Sequence, residues 1–124
     1  MDLLDASIVI DFLNKIPPAI DFFLGVNRHQ TAISAVTLAE VLAGADAAEK
    51  EQILRFIEPF EFFVIDKESS ILAAELRQQY HWKLPDSFQA ALALKYKLTF
   101  ITRNTKDFNP SIHKFVKIPY KVHK

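Results

Sequence analysis

Apolar positions along the chain change period several times. Short continuous runs at Leu3-Leu4, Ala32-Ile33, Phe62-Phe63-Val64-Ile65, Phe100-Ile101 and Phe115-Val116 predict buried strands over 2–5, 31–34, 62–65, 99–101 and 115–118. Between them the spacing becomes helical. Ser7 is placed to N-cap a helix through Ile8, Val9, Ile10, Phe12 and Leu13, and Pro17-Pro18 opens a second that ends near Gly25. A third helix spans Ala35–Ala43 and stops near Gly44. Asp46 and Glu49 have capping-box spacing ahead of Ile53, Leu54, Phe56 and Ile57, and Pro59 closes that helix. Asp66 N-caps the next, through Ile71, Leu72, Leu76 and Tyr80. Pro85 and Asp86 open the last, carried by Ala90–Leu94. Strands alternating with helices predict an α/β fold: a three-layer α/β/α sandwich around a mainly parallel sheet of four to five strands with right-handed crossovers.

The 124 residues are half hydrophobic, enough for one packed domain over 1–124 rather than a disordered chain. The absence of cysteine excludes thiolate metal sites, thiol catalysis and disulfides. No apolar run approaches the roughly 20 residues of a membrane span, and the acidic start MDLLDASIVIDF lacks the basic region of a signal peptide. A cytoplasmic protein is the expectation. Net charge is zero but unevenly spread: residues 95–124 hold eight basic side chains against the single acid Asp107, which leaves an equal negative excess on residues 1–94. A basic end beside an acidic body suits bringing a polyanion up to a carboxylate site, and equally suits lysines scattered over a wet surface.

Four of the 15 acids stand apart. Asp5 lies between the first strand and its helix, and Asp107 follows the fourth strand within the loop Thr102-Arg103-Asn104-Thr105-Lys106-Asp107. Asp86 is in a first helical turn. Glu40 is expected as the sole charge of a buried helix, on a narrow stripe with Thr37 and Gly44. Asp11 is assigned to a wet helix face. In open α/β sheets ligands sit beyond the carboxyl ends of the strands, which is where these acids are expected. If Asp5, Glu40, Asp86 and Asp107 converge, their repulsion favours a divalent cation, and oxygen-only donors select Mg²⁺ or Mn²⁺ over Zn²⁺. Thr102 and Ser7 are candidates to support such a site, and Arg103 with Asn104 to hold a substrate phosphate. A metal there suits phosphodiester hydrolysis.

Leu3-Leu4-Asp5-Ala6-Ser7, Thr37-Leu38-Ala39-Glu40-Val41-Leu42-Ala43-Gly44, Leu84-Pro85-Asp86 and Thr102-Arg103-Asn104-Thr105-Lys106-Asp107-Phe108 together resemble the PIN domain. Within it they look like the VapC-type ribonuclease toxins of toxin–antitoxin modules. The resemblance spans nearly the whole chain. It implies a Mg²⁺- or Mn²⁺-dependent endoribonuclease with Asp5, Glu40, Asp86 and Asp107 as its metal-binding and catalytic acids and Thr102 supporting them. It also implies a homodimer, an RNA substrate and a cognate VapB-type antitoxin whose C-terminal segment reaches toward the site. Ser7 departs from the Asn common in the family. His29, His81, His113 and His123 match none of its catalytic positions and are expected at the surface. Two other readings are weighed: a receiver-like Mg²⁺-binding regulatory domain, and a catalytically silent PIN fold. The phenylalanines Phe22, Phe23, Phe56, Phe60, Phe62 and Phe63 fit either a core or a binding face.

Overall fold

Each of the five apolar runs meets a strand in the computed structural model, which describes residues 1–122; the strand expected buried over 62–65 instead spans Glu61–Phe63 with an exposed face, and the surface position expected for His123 lies outside the described residues. In chain order the elements are β1 (Asp2–Leu4), α1 (Ala6–Leu13), α2 (Pro17–Leu24), a short 3₁₀ turn (Arg28–Gln30), β2 (Thr31–Ser34), α3 (Ala35–Ala43), α4 (Ala47–Ile57), β3 (Glu61–Phe63), α5 (Lys67–Tyr80), α6 (Leu84–Tyr96), β4 (Thr99–Ile101) and β5 (Val116–Lys117). The sheet is entirely parallel in the order β3-β2-β1-β4-β5, with Leu3 opposite Ala32 on one side and Phe100 on the other. A receiver-like domain requires the order 2-1-3-4-5, so that alternative is excluded. Because the chain leaves β1 first toward β2 and later returns to its other side at β4, the sheet has a switch point at β1. A crevice for ligands is expected there.

The period-2 alternation of the strands divides the core. Leu3, Ala32 and Phe100 face α5 and α6, where Ala73, Leu76, Ala90, Leu92 and Leu98 cover them. Leu4, Ile33 and Ile101 face α1–α4 and pack on Ile8, Val9, Phe23, Val41, Ile53 and Ile57. This is the α/β/α sandwich read from the sequence. The cap assignments at Asp46, with its full capping box, and at Asp66 hold. Asp66 also accepts hydrogen bonds from Lys95 and Tyr96, tying α5 to α6. Two helices end on left-handed residues that are not glycine, His81 and Lys97, and the sequence carries no cue for either.

Helix α3 differs from expectation. Thr37 and Val41 are buried, but Ala39, Glu40 and Ala43 are exposed. Alanine and valine tolerate a half-wet face, so an apolar composition did not mean burial all round. Most of the phenylalanines are core: Phe12 stacks on Phe56 at 5.0 Å, and Phe23 and Phe60 join them. Phe62 is the exception, 45% exposed on the edge strand β3. Among the described residues no helix is long and apolar enough to cross a membrane.

Placement decides the cost of shortening these aromatics. Urea unfolding should show Phe100→Ala, wholly buried between β1 and β5, losing about 3–5 kcal/mol. Phe62→Ala should lose less than about 1 kcal/mol. Equal losses would contradict the assignment of β3 to the sheet edge.

Candidate metal centre

The turn from β1 into α1 is held by a carboxylate. Asp5 is the N-cap of α1, and its Oδ1 accepts the Ala6 amide at 2.8 Å. Ser7, expected in that role, sits inside the first turn instead: a carboxylate adjoining the helix's positive end is the stronger acceptor. The Ser7 hydroxyl donates to Asp5 Oδ2 at 3.0 Å, and the wholly buried Thr102 hydroxyl donates to the same oxygen at 2.7 Å. Three donors from two strand ends thus fix a carboxylate that is only 8% exposed.

Two of the other three acids, Glu40 and Asp86, feel its charge, and Asp107 acts on Asp86. Glu40 stands on the exposed side of α3, Asp86 is half-buried in the first turn of α6, and Asp107 is half-buried in the loop after β4. Their mutual influence is visible in their protonation. Burial first, then the charge of Asp5, then that of Asp107 push the Asp86 carboxyl up to about 6, against a smaller opposing pull from Lys83. Glu40 is likewise raised, by partial burial and then by the charges of Asp5 and Asp86. Charge thus acts between Asp5 and Glu40, Asp5 and Asp86, Glu40 and Asp86, and Asp86 and Asp107, which come from four segments.

The loop that carries Asp107 is braced on two sides. The Asn104 amide N–H donates to Thr102 Oγ1 at 3.1 Å, Asn104 Nδ2 donates to Asp107 Oδ2 at 3.0 Å, and the Asp107 N–H returns to Asn104 Oδ1 at 3.2 Å. Trp82 Nε1 donates to the Asp107 carbonyl at 3.1 Å. Trp82 is buried and stacked on Tyr80, and His113 packs edge-on against both, so His113 belongs to a small aromatic core rather than to open surface.

Arg103 and Asn104 thus both have internal partners. Arg103 forms a two-point bond to Asp11, Nε to Oδ2 at 2.5 Å and Nη2 to Oδ1 at 2.9 Å, and the Tyr120 hydroxyl donates to Asp11 Oδ2 at 2.8 Å. Asp11 is 6% exposed, not on a wet face. A buried carboxylate on an otherwise apolar helix face needs such partners, but they come from residues 92 and 109 positions away, which helical periodicity cannot reveal.

The donor set fits a hard divalent cation. All four groups are carboxylates, and two of them, Glu40 and Asp86, are raised by burial first and then by neighbours of like charge, and the second part is a penalty that a cation removes. Among the described residues no three acidic or imidazole side chains close on a single point. It is the all-oxygen character of the donors that suits Mg²⁺ or Mn²⁺, which keep several waters and use few protein ligands.

The sequence profile of the PIN domain matches residues 3–109. A chain from a toxin–antitoxin complex of Klebsiella pneumoniae is 34% identical, with a TM-score of 0.87 over 98% of this chain and 100% of that one. FitAcB of Neisseria gonorrhoeae is 22% identical, TM-score 0.78, over 98% of this chain and 100% of its own. DNA-bound VapBC of Salmonella typhimurium is 22% identical, TM-score 0.71, over 86% and 88%. The search of curated proteins finds no match.

Two measurements check the electrostatics. Folded Asp86 keeps its proton to about pH 6, whereas an unfolded Asp loses it near 4. Its contribution to stability is therefore complete below about pH 4 and is lost as pH rises through about 6. Without divalent metal, Asp86→Asn should lack that decline and be about 1 kcal/mol more stable than wild type at pH 7, a figure reduced because the carboxyl is half in water. An unchanged difference between the two proteins from pH 4 to 7 would contradict it. Arg103→Ala should cost about 2 kcal/mol in chemical unfolding, less than a fully buried pair because Arg103 is partly in water. A neutral result would mean that the Asp11 pair holds nothing.

Proposed function

The chain belongs to the PIN-domain family, and from that premise we propose that it is a Mg²⁺- or Mn²⁺-dependent endoribonuclease acting as the toxin of a toxin–antitoxin pair. What supports this reading is the charge influence linking Asp5, Glu40, Asp86 and Asp107, carboxylates from four separate segments. A divalent cation there supplies an activated water and neutralises charge on a phosphodiester in hydrolysis. The residues of the chain do the rest. Asp5 and Asp86, one locked by Thr102 and Ser7 and the other set in the first turn of α6, would be the principal holders of the cation. Glu40 and Asp107 complete the negative field. Lys106, Lys114, Lys117 and Lys121 are exposed on the loop and strand region beyond β4, where they favour approach of a polyanion. Arg103 has two of its nitrogens on Asp11, so its part in substrate binding is chiefly to hold the loop, with Asn104 doing the same for Asp107.

Two surfaces support the expected partners. A depression of about 190 Å³ between α1, α3 and α4, lined by Ile10, Leu13, Val41 and Ile53 with Glu40 and Glu49 at its edge, suits an apolar antitoxin segment with a basic residue toward Glu40. A second, almost wholly apolar, of about 260 Å³ lies on the other side of Glu40 among Val36, Ala39, Leu84, Pro85 and Phe88 and suits a second copy of the chain. The 34%-identical Klebsiella chain was itself solved within a toxin–antitoxin complex. A cytoplasmic site of action agrees with this reading.

Purified protein should cleave single-stranded RNA only with Mg²⁺ or Mn²⁺, and EDTA should abolish cleavage. Asp86→Asn should reduce the rate by at least about a hundredfold with the circular dichroism spectrum unchanged. Equal cleavage by variant and wild type would reject the mechanism, and no cleavage by either would favour a silent PIN fold. Faster cleavage of DNA than of RNA would reassign the substrate.

A further inference from the structure

Beneath the acids lies a hydrogen-bonded chain that touches neither solvent nor any carboxylate. Ser34 Oγ donates to Gln89 Oε1 at 2.6 Å, Gln89 Nε2 donates to Thr37 Oγ1 at 2.6 Å, and Thr37 Oγ1 donates to the Leu4 carbonyl at 3.0 Å. The Thr37 amide closes a loop by donating to Ser34 Oγ at 3.2 Å. Ser34, Thr37 and Gln89 are all completely buried. Three of its members stand one step from an acid. Leu4 immediately precedes Asp5, Thr37 is one helical turn before Glu40, and Gln89 is one turn after Asp86. Ser34 ends β2 and N-caps α3. The chain therefore ties together the three elements that present three of the four acids, while the Asp107 loop is held separately through Asn104 and Trp82.

Its polarity is fixed from one end. The Leu4 carbonyl can only accept, so the single hydroxyl proton of Thr37 points to it, and Thr37 Oγ1 must accept from the amide nitrogen of Gln89. That turns Gln89 Oε1 to Ser34, which must donate and can then accept from the Thr37 amide. No other assignment satisfies every group, and a partly satisfied buried network is costly. Only a side chain of this length, with donor and acceptor at one tip, spans Ser34 and Thr37.

We propose that Gln89 is a positioning residue for the metal site, setting through Thr37 and Ser34 the relative placement of Asp5, Glu40 and Asp86. The proposal rests on the nuclease reading above. It predicts that loss of the network leaves a folded protein whose carboxylates no longer share a cation well. Gln89→Met keeps the volume without the polar groups, and Gln89→Glu keeps the shape but cannot donate to Thr37.

The test is Mn²⁺ affinity by electron paramagnetic resonance titration, with thermal melting in EDTA and the kcat and KM of RNA cleavage measured on the same samples. Both Gln89 variants should bind Mn²⁺ about ten- to a hundredfold more weakly and lose kcat with little change in KM. Thr37→Ser, which retains the hydroxyl, should stay within about threefold of wild type, and Thr37→Val should match the Gln89 variants. Folded Gln89 variants with Mn²⁺ affinity within twofold of wild type would overturn the proposal, leaving Gln89 a contributor to stability alone. If Gln89→Met does not fold, the Thr37 pair decides: equal Mn²⁺ affinity in Thr37→Ser and Thr37→Val overturns it, and a gap of tenfold or more supports it. Failure of the wild type itself to bind Mn²⁺ or cut RNA would instead reject the nuclease reading, a separate result.

Discussion

Like charges gathered in one place are the constraint around which this fold is built. Burial first, and then the charges of Asp5 and of Asp107, push the Asp86 carboxyl up to about 6, and burial with the charges of Asp5 and Asp86 raises Glu40. A chain free to relax would let them separate. Here each is fixed from behind: Asp5 by the Ala6 amide and two hydroxyls, Asp107 by Asn104 and Trp82, and the helices of Glu40 and Asp86 by the buried Ser34–Gln89–Thr37 chain. The repulsion is thus held in the scaffold, and under the proposed function it would become a binding force for a cation.

The parallel sheet makes this possible. Every strand points the same way, so the turns after β1, β2 and β4 all open at one edge, and the helices that follow β1 and β2 begin there. The reversal of strand order at β1 marks where that edge is expected to open for a ligand. At its flank an ion pair of Asp11 with Arg103 and a hydrogen bond from Tyr120 to Asp11 join α1 to the β4 loop and to the segment after β5, so that the loop bearing Asp107 is not left to move alone.

Much of this was legible in the residues. Strand and helix order followed from the change between continuous and helical spacing, and the caps at Asp46 and Asp66 from short-range chemistry. The four acids could be singled out because each lay at an element boundary or alone among apolar neighbours. What escaped was either a choice between neighbours or a contact across the chain. Asp5 rather than Ser7 caps α1, since two acceptors two residues apart compete for one helix end. Asp11 was given to solvent because its partners are 92 and 109 residues distant. Glu40 is exposed because α3 turns a mostly alanine face outward. Gln89 carries no mark in the sequence at all, lying among good helix formers, and only its burial beside Ser34 and Thr37 distinguishes it.

The most direct test of the shared site is a titration of isotope-labelled, metal-free protein with Mn²⁺, followed by paramagnetic broadening of backbone amide resonances. At substoichiometric Mn²⁺ the amides of Ala6, Glu40, Ser87 and Asp107 should broaden together and before any others. Broadening that begins instead at the exposed acids of α4, such as Glu49 and Glu51, or that never reaches all four positions at once, would contradict a common centre.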